Sequence, residues 1–248
     1  TNAAARMTEN QNPEQKARDN IDAQLRLAGW VVQSTKKIDF SAGPGVAVRE
    51  YQTDVGPADY VLFVDNKAVG VIEAKKEEIG HKITEVEEQT AGYAIAKLKW
   101  VNNKAPLPFL YESTGVITRF TDGRDPDPRS RRVFAFHQPS TLAAWAQEAE
   151  SFRARLRHLP PLAADRLWPA QIEAIQNLEH SLADDRPRAL IQMATGSGKT
   201  FTAVSFIYRL IKFAGARRVL FLVDRSNLGR QTLGEFQQYV TPDDGRKF

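Results

Sequence analysis

The sequence predicts a two-part α/β chain on three observations. The first third holds an apolar β-hairpin, helix and strand alternate after residue 163, and a Gly-rich loop lies between a strand-like and a helix-like run. A length of 248 residues suits this reading, because domains of roughly 100–200 residues build their own cores. The expected division is residues 1–132, a helical spacer at 133–162, and residues 163–248.

Composition narrows the classes. With 42% hydrophobic and 26% charged residues the chain is not disordered throughout. The absence of cysteine excludes a disulfide framework, a Cys-ligated zinc and a thiol nucleophile. No apolar run exceeds five residues (219–223 is one), so no membrane span is expected. The polar first twenty residues lack the apolar core of a signal peptide, and the expectation is a cytoplasmic protein. A net charge of +4 permits nucleic acid as a partner without requiring it.

Taken in order, residues 13–27 read as a helix, with Ile21, Leu25 and Ala28 at helical spacing before Gly29-Trp30. Strand-like runs follow at 46–52, 58–65 and 68–75, the last two joined through Asp65-Asn66-Lys67. A charged helix is expected at 82–99 and a strand at 115–121. Residues 122–132, with Gly, two Pro and many polar side chains, read as a loop. Residues 141–156 read as one helix with Ser140 as its N-cap, ended by Leu159-Pro160-Pro161-Leu162. Beyond it come helix 170–182, strand 189–193, the Gly-rich loop, helix 200–213, strand 218–223 and helix 228–239, the alternation of a parallel, helix-covered sheet.

The loop Ala194-Thr195-Gly196-Ser197-Gly198-Lys199-Thr200 has the parts of a phosphate cradle. The two glycines let backbone N–H groups turn toward phosphate oxygens, and the following helix adds its positive end. Lys199 suits the β- and γ-phosphates of ATP, and Thr200 suits Mg²⁺. The loop resembles that of superfamily 2 helicases and translocases, with Met193 where the usual motif has its first Gly. By the same resemblance Gln171 takes the place of an adenine-reading glutamine, and Trp168 stands where relatives carry Arg and is expected in the core. Arg225, in Val223-Asp224-Arg225-Ser226, resembles the DNA-backbone contact of helicase motif Ia. These 248 residues hold no acidic pair after a further apolar strand, so no useful ATP turnover is expected of them, and the chain is expected to be the first part of a longer protein.

In the first part, Pro57-Ala58-Asp59 opens one hairpin strand and Glu73-Ala74-Lys75 closes the other. This is the arrangement called PD-(D/E)xK in a large nuclease superfamily. Phosphodiester cleavage needs a divalent cation, a nucleophilic water and neutralisation of new charge. Asp59 and Glu73 can hold Mg²⁺, and Lys75, on the strand face of Glu73, can orient water and offset charge. A strict two-residue turn at Asn66-Lys67 would set Asp59 against Ala74, facing away from Glu73. The sequence therefore predicts either the odd-length loop Asp65-Asn66-Lys67 or a bulge near Gly70. Gln89 and Tyr93, at i and i+4 of the expected helix, resemble the QxxxY motif of RecB-like nucleases and join the candidate site. Asp22 is a weaker candidate acid. The histidines, His81, His137, His158 and His180, lack ligand spacing and are read as packing or surface residues.

A RecB-like nuclease domain, a spacer and the first part of a RecA-like P-loop domain together resemble the motor-nuclease (R) subunit of type I restriction enzymes. LAGW, DVGPADYVLFVD, GVIEAKKE, PAQIEAI, RALIQMATGSGKTFTAV and RVLFLVDRSNLGRQT carry the likeness over roughly residues 17–248. The resemblance implies Mg²⁺-dependent cleavage of double-stranded DNA, ATP-driven translocation by the full subunit, and assembly with methyltransferase and specificity subunits. Two other readings fit the residues: a non-cleaving, nucleotide-gated DNA-binding or assembly module, and a nuclease-helicase of another repair or defence system.

Overall fold

The structure is a computed structural model that describes residues 13–53, 56–75, 106–186, 188–224 and 226–248. It divides into two compact units, one of residues 1–124 with 128–149 and one of 125–127 with 150–248. The expected helix 82–99, and with it His81, Gln89 and Tyr93, lies outside the described residues, as does Arg225.

The first unit begins with helix α1 (Pro13–Leu27). Ala17, Ile21, Leu25 and Ala28 are buried, the i, i+4 stripe legible in the sequence. Gly29, at φ +90°, stops it: its N–H reaches Arg26 O and that of Trp30 reaches Leu25 O, pairing the last carbonyls as a Schellman cap does.

The sheet has seven strands in sequence order: β1 (Val31–Ser34), β2 (Gly45–Thr53), β3 (Gly56–Val64), β4 (Lys67–Ala74), β5 (Phe109–Ser113), β6 (Thr118–Asp122) and β7 (Arg131–Val133). β1 with β2 and β4 with β5 are parallel, and the other neighbours are antiparallel. Both faces of β3 are buried. Tyr60, Leu62 and Val64 join the cluster that holds Ile21 and Leu25 of α1, while Val61 and Phe63 join a second cluster with Val46, Val48, Tyr51 and Val71. This two-sided burial explains the continuous apolar run of β3.

The β3–β4 turn is Asp65-Asn66, both at positive φ (48° and 62°), a two-residue turn whose twist suits a hairpin. It closes on Val64 opposite Lys67. The register then shifts between Leu62 and Phe63, so that Leu62 faces Gly70, Tyr60 faces Ile72, and Val69 is the extra residue of a bulge. Of the two expected devices the odd-length loop is absent and the bulge is present.

Several expectations need correction. The loop expected at 122–132 contributes β7, paired to β6 by Arg119 and Arg132. The single helix expected at 141–156 is two: α2 (Pro139–Gln147), with Gln138 rather than Ser140 as N-cap, and α3 (Phe152–Leu156), whose N-cap Ser151 accepts from Ala154 N. Leu142 of α2 is buried in the core of the first unit, and α3 falls in the second. The expected spacer is thus shared between the units.

The second unit holds α3, α4 (Pro169–Ala183), α5 (Lys199–Lys212) and α6 (Ser226–Gln238). Buried Arg209 of α5 fixes the preceding segment, pairing with Glu179 at 2.5 Å and donating to the carbonyls of Pro160 and Pro161. The strands expected at 189–193 and 218–223 are not formed. Their apolar side chains stand exposed, Leu190 at 93% and Leu220 at 81%. An apolar run becomes a strand only where a neighbour takes its N–H and C=O groups, and among the described residues neither run has one.

Candidate active site

The bulge decides the geometry of the acidic pair. The ladder pairs Tyr60 with Ile72, and the same register carried one residue further would set Asp59 against Glu73, on one face. Asp59 Oδ2 accepts the backbone N–H of Ala74 at 2.9 Å, and Lys75 Nζ donates to Glu73 Oε1 at 3.0 Å. The structure therefore brings together Asp59, Glu73 and Lys75, three of the residues expected to act on phosphodiesters. Asp59 and Glu73 are hard oxygen donors next to an ammonium, a set that suits Mg²⁺, which binds through one or two carboxylates and keeps much of its water. Among the described residues no group of three His, Cys, Asp or Glu side chains is arranged to hold an ion unaided.

Electrostatics follow from burial. The Glu73 carboxyl is pushed above its ordinary range by loss of solvent. The Lys75 hydrogen bond opposes that push, and the Asp59 charge adds to it.

Two residues missing from the sequence reading belong to the same neighbourhood. Arg18 of α1 places Nη2 2.5 Å from Asp59 Oδ1 and Nη1 3.4 Å from Glu50 Oε1. No motif marks it, and 41 positions separate it from its partner. Glu112 of β5 is buried and pairs in register with Glu73 on one side and Arg119 on the other. Its signal was available: an acid inside the apolar run Phe109-Leu110-Tyr111-Glu112, as Glu73 is inside Val71-Ile72-Glu73-Ala74. Asp22 is not part of the acidic pair. It accepts from Tyr60 Oη at 2.8 Å and from Arg26 and Arg49, a network that ties α1 to the sheet. His137 packs against Phe120 and Trp145 with Nδ1 2.6 Å from Tyr111 Oη, as a packing role requires.

In the second unit, Gly196 and Gly198 adopt positive φ (78° and 76°), and α5 starts at Lys199. Lys199 Nζ folds back on the carbonyls of Met193 and Ala194, at 3.3 and 2.9 Å, and Ser197 Oγ donates to Ala194 O. Thr195 is exposed, and Thr200 lies in the first turn of α5.

Gln171 is only 4% exposed and is committed to this loop. Its Nε2 donates to Ser197 O at 3.2 Å, and its Oε1 accepts from Trp168 N at 2.9 Å. Gly198 is favoured by its φ, and a Cβ there would lie 2.3 Å from Gln171 Nε2 and push that amide off the loop. Trp168, expected in the core, is instead the N-cap of α4 and is 61% exposed.

Comparison with known proteins follows this division. A family model described as the second domain of the type I restriction enzyme EcoKI endonuclease subunit matches residues 31–145, and one for the type III restriction enzyme res subunit matches 165–247. The EcoKI endonuclease subunit of Escherichia coli K12 is 31% identical over 90% of this chain and 23% of its own length. The EcoAI endonuclease subunit of Escherichia coli is 30% identical over 75% of this chain, again 23% of its own length. The chain thus spans about a quarter of these relatives. A fragment structure described as an HsdR subunit from Vibrio vulnificus YJ016 covers 84% of this chain and is itself covered to 39%, at TM-score 0.38 and 20% identity, a superposition too loose to place any residue.

Proposed function

Because this chain is homologous over 90% of its length to the endonuclease subunit of a type I restriction enzyme, we propose that its first unit is a Mg²⁺-dependent DNA endonuclease domain of the PD-(D/E)xK type, and its second the start of a RecA-like, ATP-binding translocase domain. The observation that carries this reading is the bulged hairpin that bonds Asp59 to Ala74 N–H, with Lys75 on the adjacent Glu73.

Asp59 and Glu73 would hold the cation, which supplies Lewis acidity toward the phosphate and a water easier to deprotonate. The residues of the chain do the rest. Ala74 N–H fixes one Asp59 oxygen, so the carboxylate keeps one orientation. Lys75, charged and two residues beyond Glu73, can orient the attacking water and offset charge gathering on the phosphate. Gln89 and Tyr93 are proposed to steady the DNA backbone next to it.

In the second unit the N–H groups of Thr195, Gly196, Ser197 and Gly198 and the α5 N-terminus are proposed to cradle the phosphates of ATP. Lys199 would exchange its loop carbonyls for phosphate oxygens, and Thr200 would face Mg²⁺. Gln171 supports that loop, Trp168 offers a ring to a base, and Arg225 is proposed to meet a DNA phosphate. The partners proposed for the whole protein are double-stranded DNA and methyltransferase and specificity subunits. Of the nearest acidic pair, Asp243 accepts from Tyr208 and Asp244 from Thr241.

The test is conversion of supercoiled plasmid to nicked circles by the purified chain with Mg²⁺ or Mn²⁺. Nicking that EDTA stops and that Asp59→Ala or Lys75→Ala reduces about 100-fold or more supports the reading. Absence of metal-dependent nicking, or nicking indifferent to both substitutions, overturns it in favour of a non-cleaving module.

A further inference from the structure

Arg18 occupies a particular atom of the proposed site. Ala74 N–H holds one lone pair of Asp59 Oδ2, and the other oxygen, Oδ1, the less encumbered by the backbone, is the atom that Arg18 Nη2 meets at 2.5 Å. The guanidinium fork is only partly used. Nη1 leans on the exposed Glu50 at 3.4 Å, and among the described residues the buried Nε has no hydrogen-bond partner. An arginine serving only to pin a helix to a sheet would have its donors satisfied, because a buried bare N–H carries a desolvation cost. The pin is already supplied four residues on, where Asp22 takes Tyr60, Arg26 and Arg49.

We propose that Arg18 competes with the divalent cation for Asp59 Oδ1, standing in for the missing positive charge when the site is metal-free and giving up that oxygen when metal binds. The inference rests on the nuclease reading of Asp59 and Glu73 and adds to it a positioning residue from outside the motif. Its consequence is a reduced apparent metal affinity, because only the fraction of molecules in which Arg18 has left Asp59 is competent to bind. Arg18 thereby keeps Asp59 oriented and neutralised without closing the site permanently.

The test uses Mn²⁺ alone, titrated into the 248-residue chain and followed by the loss of the free-ion paramagnetic resonance signal. Arg18→Gln is expected to bind Mn²⁺ about three- to tenfold more tightly than the parent. Arg18→Lys, whose ammonium still competes but without a fork, is expected to fall between them, and it keeps the test decisive if the Gln variant does not fold. Asp59→Asn in the parent is the reference and is expected to abolish binding. Equal or weaker Mn²⁺ binding in the Arg18 variants, with binding still dependent on Asp59, overturns the competition and leaves the cleavage site standing. Mn²⁺ binding indifferent to Asp59→Asn overturns the site itself.

Discussion

Ala74 donates its backbone N–H to Asp59 Oδ2 at 2.9 Å, fastening the first acid of the site to the strand that carries the second. The two hairpin strands are therefore joined by a side chain where the ladder of backbone pairs ends at Tyr60 and Ile72. That contact separates stability from chemistry at one position. Asp59→Asn keeps an oxygen for Ala74 N–H and should unfold within about 1 kcal/mol of the parent, whereas Asp59→Ala strands a part-buried donor and should lose about 1–2 kcal/mol. Both should lose metal-dependent nicking. Urea unfolding of the two variants beside a plasmid assay checks the split, and equal stability would mean the contact is not formed.

Gly70 of β4 stands in register with Phe109 of β5. A Cβ there would stand 2.4 Å from the carbonyl oxygen of Phe109, a backbone atom that cannot swing aside. Gly70→Ala should destabilise the chain by about 2 kcal/mol or more, with the cost spread along the parallel pair that carries Glu73 and Glu112. Denaturant midpoints measure it, and a neutral substitution would contradict the strand spacing.

Glu73 titrates above its ordinary 4.5 because burial disfavours the charged form. The folded chain then holds this proton more tightly than the unfolded chain, so the contribution of Glu73 to stability is fully present below 4.5 and is lost as pH rises through the raised folded value. Glu73→Gln removes that loss. In the absence of divalent cation it should be more stable than the parent at about pH 7 and no more stable at about pH 4. Saturating Mg²⁺ should close the gap at the higher pH by stabilising the parent alone. Parallel pH profiles for variant and parent would contradict the burial argument.

Gln171 braces the Gly-rich loop proposed to cradle phosphates, and bracing has a different signature from base reading. Gln171→Ala should weaken ATP and GTP binding by similar factors, about three- to thirtyfold, because it loosens the cradle that both share. Loss of ATP binding with GTP binding intact would assign Gln171 to the adenine instead. Fluorescent nucleotide titrations of the two bases decide it.

Much of the hairpin was legible because its signals are local: a run apolar on both faces, turn-type residues at 65–67, and two acids useful only on one face. The last condition is why a bulge could be anticipated from sequence, although its position at Val69 required coordinates. The short strands were not legible. β1 is four residues with Gln33 and Ser34 in it, and β7 is three residues inside an arginine-rich loop sequence; both exist through pairing rather than through pattern. The converse failure is in the second unit, where 218–223 is among the most apolar stretches of the chain and has no ladder. Arg18 was invisible for a third reason. A long charged side chain on a helix surface looks the same in sequence whether it faces water or reaches across to a carboxylate.

The most direct test of the central claim is the anomalous difference map of crystals grown with Mn²⁺. The account predicts one strong peak within about 2.0–2.4 Å of a carboxylate oxygen of Asp59 and of Glu73, lost in Asp59→Asn. Full Mn²⁺ occupancy elsewhere, or Asp59 and Glu73 on opposite faces of the hairpin with no peak between them, would contradict it.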